Sequence, residues 1–270
     1  MDDKKLGLIA GNGKFPILFA REARAQGYHL IAAGVQGDTS FLLKFFVDHL
    51  ETFSVGELKK LFEYLKSRGI RRAIMAGQVN PENLFEKGVQ LDDDFRRLFE
   101  AIKDRKADTI FGAVADKLKE NGIELLDSTF LLKKHMAPKG TLTKRGPTES
   151  ELADVLFGRE IAKSMGGLDV GQTVVIKEKA IVAIEAMEGT DRTIARGGDI
   201  AREGAVVVKM SKPQQDPRFD VPVIGPRTLK TMIRSNAKCL AIEAGKTIII
   251  DYDKVVQLAN KHHICIVASE

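Results

Sequence analysis

"KLGLIAGNGKFP", Lys5–Pro16, runs five apolar or small residues into a turn bracketed by Gly11 and Gly13, then places a proline where a helix would begin. A strand that ends in such a turn and feeds a helix is the opening unit of a parallel α/β sheet. Gly11 and Gly13 let the backbone turn tightly, and Pro16 fits a first helical turn, where its missing N–H costs nothing.

Moving outward, "HLIAAGV", "RRAIMAGQV" and "GIELLDST" read as further strands. Between them "FPILFAREARAQG" and "SVGELKKLFEYLKSRG" are apolar at helical spacing, each closed by a glycine that can cap in the left-handed region. The first half, residues 1–132, is therefore predicted to be a parallel α/β domain with helices on the faces of its sheet. "FLLKFFVDHL", Phe41–Leu50, reads as a helix with one face in the core.

The rhythm breaks at "LKKHMAPKGTLTKRGPTES", which is rich in Lys, Arg, Pro and Gly; residues 133–147 read as an inter-domain linker and hinge. Beyond it, Thr148 and Glu151 stand at capping-box spacing before a helix that ends near paired glycines. "GQTVVIKEKAIVAIEAM" reads as two strands joined by a tight turn, and "AVVVKM", "CLAIEAG", "KTIIID" and "ICIVASE" as more strands, with "DKVVQLANKHH" a helix before the last. Residues 148–270 thus form a separate α/β domain, predicted to be the catalytic one.

Composition narrows the function classes. Hydrophobic residues at 44% and charged residues at 29% fit a folded globular chain. No run is long and apolar enough for a bilayer-spanning helix, and acids in "MDDKKLGLIA" argue against a secretory signal, so the chain is expected in the cytoplasm. Cys239 and Cys265 lack metal-ligand spacing and read as core thiols. Forty-two Lys and Arg against 37 Asp and Glu leave +5, which favours anionic partners, but no nucleic-acid-binding signature accompanies it. The histidines lack zinc spacing, and no Walker loop or nucleophile elbow occurs.

Two clusters carry the candidate chemistry. "KMSKPQQDPRFDVPVIGPRTL", Lys209–Leu229, sets Asp216 and Asp220 four apart among prolines that exclude a regular helix. Carboxylates held on such a turn suit magnesium, which takes one or two of them with phosphate oxygens and waters, and Lys209, Lys212 and Arg218 can neutralise phosphate. In "IEAMEGTDRTIARGG", Glu185, Glu188 and Asp191 surround Gly189 and Thr190, whose backbone N–H groups can face a phosphate. The Gly11 turn and "AGQVN", residues 76–80, end strands where open sheets bind ligands. A nicotinamide enzyme is disfavoured, because Pro16 replaces the third glycine and Asp38 comes too late to close the second strand.

Together "KLGLIAGNGKFP", "AGQVN", "LDVGQTVVIKEKAIVAIEAMEGTD" and "KPQQDPRFDVPVIGPRTL" resemble, in order and spacing, the LpxI-type UDP-2,3-diacylglucosamine pyrophosphatases of bacterial lipid A synthesis. The resemblance implies a Rossmann-like N-terminal nucleotide and substrate domain over 1–132 beside a distinct α/β C-terminal domain, and hydrolysis of the substrate diphosphate by water attack at the α-phosphorus, giving UMP and lipid X with a divalent cation, Mg2+. It places the catalytic aspartate of the block R-x-D-x-P-x-x-G at Asp220, with Asp220, Asp216 and Asp191 expected at the metal. Gly11, Asn12, Gly13, Gly77, Asn80, Gly189, Thr190, Lys212, Gln215 and Arg218 are expected to bind substrate. A lipid substrate also implies transient contact with the inner membrane surface, and a homo-oligomer is left open. The competing reading is a non-catalytic nucleotide-binding regulatory module.

Overall fold

The computed structural model describes residues 4–79, 90–104 and 106–270. The chain divides into two units: one runs to Lys133 and takes back Asp216–Asp220, and the other holds Lys134–Gln215 and Val221–Glu270.

In the first unit, β1 (Lys5–Ala10), β2 (His29–Val35), β3 (His49–Phe53), β4 (Arg72–Ala76) and β5 (Glu124–Leu125) lie in the order β3-β2-β1-β4-β5. Every pairing is parallel. The central strands are buried along most of their length, which is why "LIA", "IAA" and "AIMA" read as apolar runs rather than alternations. Two connecting helices were legible in sequence, α1 (Phe15–Ala25), with Pro16 in its first turn, and α2 (Leu58–Ser67), which buries Leu58, Leu61, Phe62 and Leu65. Further along come α3 (Asp93–Ala101), N-capped by the Asp92 carboxylate, and α4 (Ala107–Glu120). Ile31, Phe53, Phe62, Leu65, Leu98 and Leu118 share one core.

The stretch Phe41–Leu50 departs from its predicted helix. Residues Phe41–Phe45 form a 3-10 turn in which only Leu43 is buried, and His49 opens β3 instead of lying on a helix. The apolar spacing is satisfied by one anchoring side chain rather than by a helical face.

In the second unit, β6 (Gly140–Thr141), β7 (Thr173–Lys177), β8 (Ala180–Ile184), β9 (Val206–Lys209), β11 (Cys239–Glu243) and β13 (Cys265–Ser269) form a mixed sheet ordered β6-β13-β11-β9-β7-β8. β10 (Val223–Ile224) and β12 (Ile248–Ile249) pair separately, in parallel. Helix α5 (Glu149–Gly167) opens with the predicted capping box of Thr148 and Glu151. It lies close on the sheet, since a Cβ on Gly158 would meet Val208 Cγ2 at 2.7 Å. The β7–β8 turn holds Glu178 and Lys179 at positive φ, and the Asp154 carboxylate accepts both their N–H groups, at 2.9 and 2.6 Å. The remaining helices are α6 (Thr190–Ala201), α7 (Pro226–Arg234) and α8 (Tyr252–Lys261). Cys239 and Cys265 are buried on neighbouring strands, as core thiols.

The stretch read as a linker at 133–147 is instead built into this second unit from Lys134 onward. Ala137 donates to the Thr247 carbonyl, β6 pairs antiparallel with β13, and Thr143 Oγ1 accepts the Ile266 N–H. Arg145 grips both oxygens of Glu151 at 2.7 and 2.9 Å and donates to the carbonyls of His263 and Lys238. Gly, Pro and Lys are as much the composition of a short edge strand as of a tether, so composition misassigned it. Among the described residues no helix is long and apolar enough to cross a membrane.

Candidate functional site

In the first unit the chain steps from β1 to β2 to β3 on one side and then to β4 on the other, so the carboxyl ends of β1 and β4 flank the topological switch point where open sheets hold ligands. The two turns that leave these ends are stitched together. Gly11 donates to the Ala76 carbonyl at 2.9 Å, Asn12 to Gln78 at 2.6 Å, and Gln78 back to Asn12 at 3.3 Å. A Cβ on Gly11 would meet the Gln78 carbonyl oxygen at 2.6 Å, and one on Gly77, whose φ is +91°, would meet the Asn12 oxygen at 2.5 Å. The N–H groups of Gly11 and Asn12, expected to meet substrate, are paired with Ala76 and Gln78 of the adjoining strand and turn. Gly13 differs, for its φ is +91° and no atom stands within 4 Å of an added Cβ. Asn80 lies outside the described residues.

The Asp216–Asp220 turn also belongs to this end of the sheet. Ser128, just beyond β5, is 1% exposed; its N–H donates to the Pro217 carbonyl at 2.9 Å. Its hydroxyl lies 2.6 Å from the Met75 carbonyl on β4 and 2.7 Å from the Arg218 carbonyl. Phe219 packs near Phe111 of α4, ring centroids 5.9 Å apart. Within the turn, Asp220 donates its N–H to the Asp216 carbonyl at 2.9 Å, which sets the last residue of the block over the first.

Arg218 and Asp216 are engaged with each other. The guanidinium reaches the carboxylate at 2.6 Å through Nη2 and 3.0 Å through Nε, and the Arg218 N–H adds a third bond at 3.0 Å. The Arg218 hydrogen bonds hold the Asp216 carboxyl below its usual range, and the same pairing pushes the guanidinium up. The fork expected on phosphate and the carboxylate expected on a metal thus fix the turn that carries Asp220, which is half-buried.

In the second unit, Gly189, with φ +80°, caps α6 and sets Thr190 and Asp191 in its first turn. Thr190 donates to Glu185 Oε1 at 2.8 Å and accepts from Lys209 Nζ at 2.8 Å; Lys209 Nζ is 3.9 Å from Glu185 Oε2. Burial works to raise the Glu185 carboxyl, but Lys209 and the hydroxyls of Thr173 and Thr190 outweigh it and hold the group below its usual range. Asp191 meets Arg227 at 2.6 Å, yet its burial prevails and pushes its carboxyl up. Glu188 pairs with Arg196 at 2.6 Å. Lys212 reaches Asp169 at 2.5 Å, and its N–H donates to Gln215 Oε1 at 3.2 Å.

Sequence reasoning did not find Ser128, Asp169 or Arg227 as parts of these clusters. Ser128 had no local signal, being a lone serine in "LDST"; Arg227 stood in the quoted block and could have been matched to Asp191 by charge.

Among the described residues no group of three or more His, Cys, Asp or Glu side chains could hold an ion. Asp191 stands in the second unit, and Asp216 and Asp220 in the first. What the turn offers is hard oxygen donors from one or two carboxylates, a set that suits Mg2+ when phosphate oxygens and water complete the shell.

Comparison with known proteins agrees with this two-part organisation. The family model for the LpxI N-terminal domain matches residues 5–135, and that for the LpxI C-terminal domain matches residues 138–267. The UDP-2,3-diacylglucosamine pyrophosphatase LpxI of Caulobacter vibrioides is 28% identical over 273 residues, covering 95% of this chain and 94% of that protein. Among solved structures, the biotin carboxylase domain of Hydrogenobacter thermophilus 2-oxoglutarate carboxylase is 15% identical over 73% of this chain and 41% of that one, with a TM-score of 0.28. The N5-carboxyaminoimidazole ribonucleotide synthetase of Thermotoga maritima is 15% identical over 68% of this chain and 42% of that one, with a TM-score of 0.25. These two likenesses are too low to bear on fold or function. The matches of both domain models, spanning nearly the whole chain, show that it belongs to the LpxI family.

Proposed function

We propose that this chain hydrolyses the diphosphate of UDP-2,3-diacylglucosamine, releasing UMP and lipid X in lipid A synthesis. Membership of the LpxI family supports the reaction, as does the activity named for the Caulobacter vibrioides relative. The observation that carries the placement is the anchoring of the Asp220 turn by Ser128 to β4, whose end flanks the switch point of the parallel sheet.

In this reading Asp220 orients the attacking water and draws on its proton. The water oxygen bonds to the α-phosphorus, the bond from that phosphorus to the bridging oxygen breaks, and the bridging oxygen leaves with the phosphate of the sugar. Asp220 would hold a divalent cation, Mg2+, which when bound would neutralise phosphate charge and make a water more acidic. Asp216 and Arg218 position the turn rather than touch the ion. The Gly13 turn and the start of α1 receive the nucleotide phosphate. Thr190, Lys212 and Gln215 are further substrate-contact candidates, Thr190 hydrogen-bonded to Lys209 and Lys212 to Gln215.

A non-catalytic nucleotide-binding module would rest on the Gly11 turn, where two N–H groups are already paired with the β4 turn. Hydrolysis in 18O-labelled water tests the bond that breaks. Label in UMP is expected; label in lipid X would mean attack at the β-phosphorus.

A further inference from the structure

Three large apolar side chains crowd one small turn of the first unit and face solvent: Phe41 is 69% exposed, Leu42 44% and Phe45 59%. Single exposed apolar residues are ordinary on a surface, but a cluster of this kind marks a contact. The turn is held rigidly. Leu43 between them is fully buried, and the Leu42 N–H donates to the side chain of Ser40. Upstream, Thr39 Oγ1 accepts from the Val35 N–H at 2.8 Å; downstream, the Asp48 carboxylate accepts the Leu30 N–H at 2.7 Å. The exposed rings are thus presented on a fixed base rather than left on a loose loop.

Cations stand among the rings. Lys44 Nζ lies 5.1 Å from the centroid of Phe45 and 5.8 Å from that of Phe41. Arg24 donates from its guanidinium to the Phe45 carbonyl at 3.1 Å, and Arg21, exposed, is one turn earlier on α1. Against the apolar face of another protein these charges would lose their water without repayment. At a bilayer the rings enter the headgroup and acyl boundary while the long basic side chains reach back to lipid phosphates.

We infer that the turn Phe41–Phe45, with Lys44 and Arg24, docks the chain on the surface of an anionic phospholipid bilayer. Docking by this surface requires no nucleotide substrate.

The test is flotation of the full chain with phosphatidylcholine vesicles made with and without phosphatidylglycerol. Wild type should float with the anionic vesicles, far less with the neutral ones, and less as salt is raised. Phe41→Ser with Phe45→Ser should reduce the floated fraction about tenfold while leaving the melting curve intact, because both rings are solvent-exposed. Lys44→Glu should reduce it independently, so the inference remains testable if the double variant folds poorly. It is overturned if wild type floats with neither vesicle, if the folded variants float as well as wild type, or if light scattering shows that Phe41 and Phe45 instead join two copies of the chain.

Discussion

Ser128 and Arg218 stand 90 residues apart in sequence, yet the Ser128 hydroxyl lies 2.7 Å from the Arg218 carbonyl while also meeting Met75 of β4 at 2.6 Å. One buried side chain therefore links a central strand of the first unit to the turn that ends in Asp220. Ser128→Ala should cost roughly 1–3 kcal/mol of stability, since it leaves a carbonyl at this buried position without its donor. If the linkage positions Asp220, kcat should fall more than KM rises. Thermal unfolding and steady-state kinetics on the same preparation check both, and unchanged kcat would separate Ser128 from the chemistry.

The glycines at the switch point should differ sharply on substitution. Gly77→Ala forces a Cβ to within 2.5 Å of the Asn12 oxygen at a φ of +91°, whereas Gly13→Ala has the same φ with open space beside it. The first should cost more than ~3 kcal/mol and the second about 1 kcal/mol, because only backbone strain acts at Gly13. Denaturant titration of the two variants reads the difference; equal costs would contradict the close stitching of the two turns.

The Asp216–Arg218 pair should leave a mark on the pH dependence of stability. A carboxyl whose folded pKa is depressed stabilises the fold above its unfolded pKa, near ~3.9, and loses that contribution as pH falls through the folded value. Because Arg218 lowers the Asp216 carboxyl, Asp216→Asn should be less stable than wild type at pH 7, with the gap narrowing only below about pH 4. A gap independent of pH would indicate that charge is not what the pair contributes.

Arg145 should prove structural. Glu151 is 8% exposed, and removing its bidentate partner strands a carboxylate while freeing the carbonyls of His263 and Lys238. Arg145→Ala should cost about 3 kcal/mol. It should also expose residues 134–147 to limited proteolysis that wild type resists. Rapid cleavage of the wild type there would restore the tether reading.

Much of this fold was legible because its strands and helices obey local rules. The apolar runs at Leu6–Ala10 and Leu30–Ala33 belong to strands buried on both faces, and the capping box of Thr148 and Glu151 forms as spaced. What escaped depends on partners distant in sequence. Nothing near Gly11 shows that a second turn will press on it from Gln78, and nothing in "DPRFD" shows that five residues leave their neighbours' unit to meet Ser128. Phe41 and Phe45 carried a core pattern, but the one buried position of their turn went to Leu43. The aspartate pair was found in sequence; that Arg218 turns onto Asp216 was not, because spacing cannot tell which way a guanidinium turns.

The most direct measurement is UMP release from UDP-2,3-diacylglucosamine by wild type and Asp220→Asn, each with Mg2+ and with chelator, alongside their melting curves. The expected result is release that requires both the cation and the Asp220 carboxylate, with a loss of at least ~100-fold in a variant that still folds. Undiminished release by folded Asp220→Asn, or no release by folded wild type, would contradict the assignment of hydrolysis to this turn.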